Sequence, residues 1–336
     1  MKIIDFEHHY FSKPFYEFLI KNKDKLIKSA EFASIYSSFG YKSNNGTGLP
    51  FGSEISCQND IDLKIMDNAG MQFGILSTSD GIESLGKNDS ILMAKKTNDF
   101  TASKIKEHPD RFLGTFCLPT PYVEESLKEI DRAANELGLK YFHTHSSYGQ
   151  KRLSDPEFEP IIKHCAELNI PIYIHPCYQS EKYLSTLGFA FSGAGFGFTV
   201  DVMNTVIRLI AGGIFDRYPN LKIIIGHMGE FLPYTIARID NMIDIFKDQD
   251  PWIKCKNNFS YYVKHDNIYV STSGIFDENV IDFAIKQLGI DHILFGADFC
   301  YENAKRSVDF ILNLNISEED KHKICHLNGE RLLNLK

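Results

Sequence analysis

A Cys-x-x-Cys pair, an uninterrupted apolar run of about 18 residues and a basic patch are all missing from this 336-residue chain, and each absence removes a class of protein. The seven cysteines (Cys57, Cys117, Cys165, Cys177, Cys255, Cys300 and Cys325) are odd in number and far apart, which excludes a disulfide framework and a cysteine zinc site. A reducing cytoplasm is the expected compartment. The N-terminus turns polar within a few residues, too soon for a secretory core, so neither export nor membrane insertion is expected. With a net charge of -8 and no basic stripe, the chain has no electrostatic attraction to nucleic acid or to an anionic membrane. A small molecule is the expected ligand. No internal repeat, low-complexity tract or linker divides the chain, so one domain spanning residues 1–336 is expected.

What the chain does have is alternation. Eight short β-rich apolar runs recur to its end, each followed by helical periodicity or turn residues: 2–9, 73–79, 111–119, 140–146, 171–177, 222–228, 268–273 and 292–299. Met203, Val206, Ile207 and Ile210 show the spacing of an amphipathic helix closed by Gly212 and Gly213, and Asp155 before Pro156 reads as a helix cap. Eight βα units predict a (β/α)8 TIM barrel. The rival, an open doubly wound sheet, lacks its Gly-x-Gly-x-x-Gly turn after the first strand. Two long connections, after strands 1 and 5, distort the regular rhythm: 10–59, and 178–198 with its Ser192-Gly-Ala-Gly-Phe-Gly-Phe198 run. Both are expected on the C-terminal face, as walls or lids of the site.

The chemistry-bearing residues fall where such a barrel keeps its active site. Glu7 and His9 leave one face of the first strand and His8 the other. His175, His227 and Asp298 end the fifth, sixth and eighth runs. Any one of these alone is compatible with an ordinary hydrogen-bonded polar residue, but four strands ending in ligand or acid-base side chains point to a metal site. An acid ending a buried strand, as Asp298 does, needs a cation or donor to offset desolvation. The donor mix suits one divalent ion, Zn2+ or Mn2+, with Mg2+ also compatible. His227 either completes the ligand set or orients a water or substrate oxygen, the second being favoured, with Glu230 placed to hydrogen-bond an imidazole. His143 and His145 share a face of the fourth strand and are expected beside the site rather than on the ion. Lys140 begins that strand at the wrong end to bridge two metals, so a single ion is expected.

The motifs Phe6-Glu-His-His-Tyr10, Leu209-Ile-Ala-Gly-Gly-Ile-Phe-Asp-Arg-Tyr-Pro-Asn-Leu-Lys-Ile-Ile-Ile-Gly-His-Met-Gly-Glu230 and Ile293-Leu-Phe-Gly-Ala-Asp298 resemble those of the amidohydrolase-superfamily branch that includes γ-resorcylate, 5-carboxyvanillate and aminocarboxymuconate-semialdehyde decarboxylases. The resemblance runs over almost the whole chain, including Asn328-Gly-Glu-Arg-Leu-Leu333, which is similar to the family's closing helix. It implies Glu7, His9, His175 and Asp298 as metal ligands, with Asp298 and His227 as catalytic groups. It also implies Arg238 at the substrate, often acting across a subunit interface, and hence a homodimer or homotetramer; Glu230 is expected near the substrate as well. One position departs from the pattern: where many relatives carry a carboxylate-binding arginine, this chain reads Asp62-Leu-Lys-Ile-Met-Asp67. The implied reaction is non-oxidative decarboxylation of a hydroxylated aromatic or related unsaturated acid, Asp298 delivering a proton to the carboxylate-bearing carbon and His227 stabilising the phenolic oxygen. The same atoms would serve hydrolysis of a lactone, ester or amide.

Overall fold

Strand pairing in the computed structural model follows the chain order of the eight βα units. The structure describes residues 1–29, 59–78, 81–177, 184 and 186–335. The barrel strands are β1 (Ile4–Tyr10), β2 (Phe73–Thr78), β3 (Phe112–Gly114), β4 (Phe142–His145), β5 (Ile172–His175), β6 (Ile223–Ile225), β7 (Ile268–Ser271) and β8 (Ile293–Leu294). Parallel ladders join β1 to β2 to β3, and β4 through β8 in sequence. Two seams close the ring. Phe116 bridges to Phe142 between β3 and β4, and His8 bridges to Phe299 between the ends of β1 and β8, where the Phe6 N–H also donates to the Phe295 carbonyl at 2.9 Å.

Several strands are shorter than their apolar runs. The run 292–299 contributes a ladder of only two residues, Ile293 and Leu294, and Asp298 near its end adopts a left-handed backbone (φ 55) outside the range of a strand. Asp155 does stand at the cap position, with Pro156 first in the helical turn and the Phe158 N–H on the Asp155 carbonyl at 3.0 Å, but its carboxylate takes the Arg152 N–H at 2.9 Å and Arg208 Nη2 at 3.2 Å and so makes no side-chain cap bond. Of the two long connections, the first contains the helix Lys13–Leu26, opened by Ser12 accepting the Phe15 N–H, and its remainder over 30–58 lies outside the described residues. Most of the first part of the second connection, 178–183 and 185, does too. Residues 190–211 are long and apolar enough to cross a membrane by length and composition alone. They nevertheless bury Val202, Val206, Leu209 and Ile210 in the core and carry the buried Asp201, as expected of a barrel helix.

Apolar residues separate into two shells, as period-2 alternation requires when both faces of a parallel sheet are covered. The outer shell packs strands against helices. Inside the ring, Ile4, Phe6, Ile75, Tyr141, Tyr173, Ile224, Tyr269 and Leu294 form the floor, closed from below by Leu332 and Leu333. Alternation fails at one point. Ile4 and Phe6 face inward, so strict alternation would also turn His8 inward and Glu7 and His9 outward. The register of β1 against β2 slips between Asp5 and His8, a β-bulge, and the slip reverses the phase: Glu7 and His9 turn into the barrel while His8 stacks outside on Phe299, with ring centroids 4.6 Å apart. Inside the barrel, the Phe6 carbonyl receives the Tyr141 hydroxyl at 2.6 Å.

The closing helix, Asn328–Leu332, meets the barrel floor directly, and a Cβ at Gly329 would stand 2.8 Å from Phe6 Cζ. Gly329→Ala is therefore expected to cost about 2 kcal/mol by overpacking, measured as a lower melting temperature, with metal content unchanged because the site lies at the opposite end. An unshifted melting curve would contradict this contact.

Candidate metal centre and active site

Above the apolar floor sits a hydrogen-bonded polar layer. Glu7 is fully buried, and its Oε2 accepts from Ser271 Oγ at 3.2 Å and from Ser273 Oγ. Ser271 Oγ also lies 3.0 Å from the Tyr173 hydroxyl. Gly226 leaves room for Glu7, since a Cβ there would stand 3.1 Å from the Tyr173 hydroxyl and 3.5 Å from Glu7 Oε1. These donors hold one oxygen of Glu7 and aim the other upward, where Oε1 is buried without a partner.

The next layer up is ionisable. His9 Nε2 lies 3.4 Å from both Glu7 Oε1 and Asp298 Oδ1, and its ring meets that of His175 edge-on with centroids 4.9 Å apart. Donor atoms of Glu7, His9 and His175 all fall within 4.8 Å of one another, as do those of Glu7, His227 and Asp298. His175 lies 2.9 Å through Nδ1 from the Pro176 carbonyl; an N–H donated there leaves Nε2 as its lone-pair nitrogen, the outer contact a metal-binding imidazole ordinarily has. The four residues expected as ligands thus converge from β1, β5 and the end of β8.

The donor set fits a divalent cation. Glu7 Oε1 and both nitrogens of His9 are buried without a hydrogen-bond partner, a costly state that an ion accepting mixed nitrogen and oxygen donors relieves. Charge points the same way. Burial works against an imidazolium at His9, but Asp298 and Glu7 outweigh it and raise its pKa to about 9. Burial and neighbouring imidazoles hold His175 and His143 well below the usual range, keeping them neutral.

His227 stands beside this cage as one half of a pair with Glu230. Its Nδ1 lies 2.7 Å from Glu230 Oε1, and its Nε2 lies 3.8 Å from Asp298 Oδ2. Burial again opposes the charged form, yet Glu230 and Asp298 raise the imidazole well above its ordinary pKa. Burial pushes the Asp298 carboxyl up, but His227 and His9 prevail and hold it below the usual range. Four of the six non-glycine residues with left-handed φ among the described residues are His227, Met228, Glu230 and Asp298. Such conformations cost about 1–3 kcal/mol each, and their concentration at one mouth of the barrel is the pattern of strain held at a functional site.

Not every expected residue joins the cluster as expected. Glu230 hydrogen-bonds the His227 imidazole, as expected of its placement, but its side chain is only 3% exposed and Oε2 accepts from Thr199 Oγ1 at 2.5 Å, so both oxygens are engaged within the protein and neither faces a substrate. Arg238 is exposed on the helix Leu232–Phe246 and makes no ion pair among the described residues. His143 and His145 do line the site, with ring centroids 5.3 Å and 5.5 Å from that of His175, and His145 Nδ1 is bonded to the buried Glu83. Asp62 is buried in the helix Asn59–Ala69. Ser271, Ser273 and Glu83 escaped the sequence reading. For the serines a signal existed: two polar residues at period 2 ending an apolar strand. For Glu83, in a turn after β2, there was none.

The family model for amidohydrolases matches residues 76–335. The chain is 31% identical over 299 residues to gamma-resorcylate decarboxylase of Rhizobium sp., covering 82% of this chain and 87% of that protein. It superposes with a TM-score of 0.83 at 26% identity on 2,6-dihydroxybenzoate decarboxylase from Rhizobium, covering 100% of this chain and 99% of the other. On 5-carboxyvanillate decarboxylase from Novosphingobium aromaticivorans, solved with manganese and 4-hydroxy-3-methoxy-5-nitrobenzoic acid, the TM-score is 0.88 at 27% identity, covering 99% and 96%.

Because a ligand imidazole must shed its proton, ion uptake should compete with protonation of His9. Below pH about 9, where His9 of the metal-free protein is charged, manganese binding is expected to release protons, with affinity rising with pH until that value and levelling above it. Calorimetry in buffers of different ionisation enthalpy reads the release; affinity independent of pH across this range would contradict the arrangement.

Proposed function

This chain belongs to the amidohydrolase family, and from that premise we propose that it catalyses the metal-dependent, non-oxidative decarboxylation of a hydroxylated aromatic or related unsaturated carboxylic acid. The observation that carries the reading is a carboxylate, Asp298, set between a cation cage and an imidazole paired with Glu230. Glu7, His9, His175 and Asp298 would hold the ion, manganese by analogy with the related decarboxylase structures, or zinc. The chemistry supplied by the bound ion is positive charge that offsets the charge of an acidic substrate and draws its carboxylate and a neighbouring hydroxyl oxygen into place.

The protein's own groups handle the proton. His227 donates its Nδ1–H to Glu230 and presents its Nε2–H to Asp298 Oδ2, 3.8 Å away, a gap of the kind that closes when a substrate excludes water. Asp298 takes that proton and delivers it to the carboxylate-bearing carbon, where a C–H bond forms and the ring loses aromaticity. The Nε2 of His227, left with a lone pair, then accepts the hydrogen of the phenolic hydroxyl as that oxygen gains carbonyl character, and returns it when the ring is restored. As the C–C bond breaks, its electron pair returns to the ring, aromaticity is restored and carbon dioxide leaves; the proton consumed is replaced from solvent. Oxidant and organic cofactor play no part in this balance. Hydrolysis with the same atoms is the competing use of the site, and what supports decarboxylation over it is the set of relatives with carboxylic acid substrates.

Arg238, exposed on its helix near the 81% exposed Tyr234, would reach a substrate carboxylate across an interface between copies in a homodimer or homotetramer. We place the enzyme in the cytoplasm, as one catalytic domain whose cysteines lie far apart in the chain with no Cys-x-x-Cys pair.

Asp298→Asn is expected to lower carbon dioxide release from ortho-hydroxybenzoates by about 1,000-fold or more while the circular dichroism spectrum stays that of the parent. Turnover within tenfold of the parent would remove Asp298 from this role, and acidification of a lactone panel without carbon dioxide release would favour hydrolysis.

A further inference from the structure

Behind the inner wall of the barrel lies a second buried acid with no part in the proton path above. Asp5 is 0% exposed, on the outward side of β1 at the residue where the register slips. Its Oδ1 accepts two backbone N–H groups at once: that of Glu7 at 3.0 Å and that of Ala297, across the barrel seam, at 2.8 Å. These amides belong to one carboxylate of the cage and to the residue immediately before the other. Its Oδ2 lies 3.2 Å from His8 Nδ1. His8 is itself wedged, stacked on Phe299 on one side and close to Gly74 on the other, where a Cβ would stand 3.0 Å from His8 Cγ.

We propose that Asp5, anchored by His8, is a positioning residue that clamps β1 to β8 and so sets the separation of Glu7 and Asp298 before the ion arrives. The inference rests on the assignment of those two acids as ligands. Its physical basis is direct. Two carboxylates facing one cavity repel each other, and among the described residues no ladder joins β1 to β8: the Phe6 N–H on the Phe295 carbonyl and the His9 N–H on the Phe299 carbonyl hold the two ends of the seam, with the Asp5 bridge to Ala297 between them. One oxygen accepting both amides resists that spreading, because pulling the strands apart would leave a buried N–H or the oxygen unpaired. Gly74 leaves room for the His8 ring; a larger residue there would displace it and free the Asp5 rotamer.

The test compares wild type, Asp5→Asn, Asp5→Ala and His8→Phe, with manganese as probe. Affinity is read by calorimetry and the ion's surroundings by electron paramagnetic resonance of the bound manganese. Asp5→Ala should bind about 10–100-fold more weakly, the loss typical when the outer support of a metal ligand is removed, with a broadened or altered resonance. Asp5→Asn retains a carbonyl oxygen that accepts both amides and should recover most of the affinity; His8→Phe keeps the stack but loses the anchor and should fall between. Should the alanine variant not fold, the histidine variant carries the same comparison. Folded Asp5→Ala or His8→Phe with wild-type affinity and an unaltered resonance would overturn the clamp. Failure of wild type itself to bind manganese would instead overturn the ligand assignment.

Discussion

Glu7 and Asp298 sit at the closed end of a polar funnel, within reach of one imidazole and largely shut off from water. Moving even one ionised carboxylate into such surroundings costs several kcal/mol after relaxation, and two of the same sign cost more unless a counter-charge stands between them. Much of the site follows from that debt. His9 is drawn toward its charged form, His227 is held in it, and serines and a tyrosine are arranged to take up the oxygen of Glu7 that does not face the cavity. A cation discharges the same debt more completely than protons do, which ties the architecture to metal-dependent chemistry.

The barrel supplies the rigidity this requires. Apolar side chains fill the lower interior and a helix seals it, so the polar layer rests on a packed floor. Serine hydroxyls, the Tyr173 hydroxyl and then the imidazoles follow in ascending order, each layer hydrogen-bonded or stacked on the one below. Catalytic function and stability are therefore divided between the two ends of one sheet, as βα-barrel geometry permits. The strained backbone at 227–230 and at 298 belongs to the functional end, where packing of the Glu230–Thr199 and His227–Glu230 contacts keeps it in place.

The sequence reading and the structure agree on the eight units and on the convergence of Glu7, His9, His175 and Asp298, and they part over local detail. Asp155 takes the cap position before Pro156 as expected, but Arg152 and Arg208 engage its carboxylate, so the side-chain cap bond does not form. Glu230 reads as a partner for an imidazole and as a group for substrate; it bonds the imidazole, and Thr199 takes the oxygen that a substrate would need. Glu83 was invisible because a turn carries no period from which to infer where its side chain points.

Chain order of apolar runs, the turn residues between them and the residue types at their ends were enough to determine a barrel with a metal-ligating mouth, because periodicity and desolvation are properties of local sequence. Which face of the first strand looks inward was not. Alternation alone would have turned His8 into the barrel and Glu7 and His9 away from it. Only the folded sheet decides otherwise, since the bulge between Asp5 and His8 exists through pairing with β2 and through contacts with β4 and β8, partners that lie tens to hundreds of residues away in the chain.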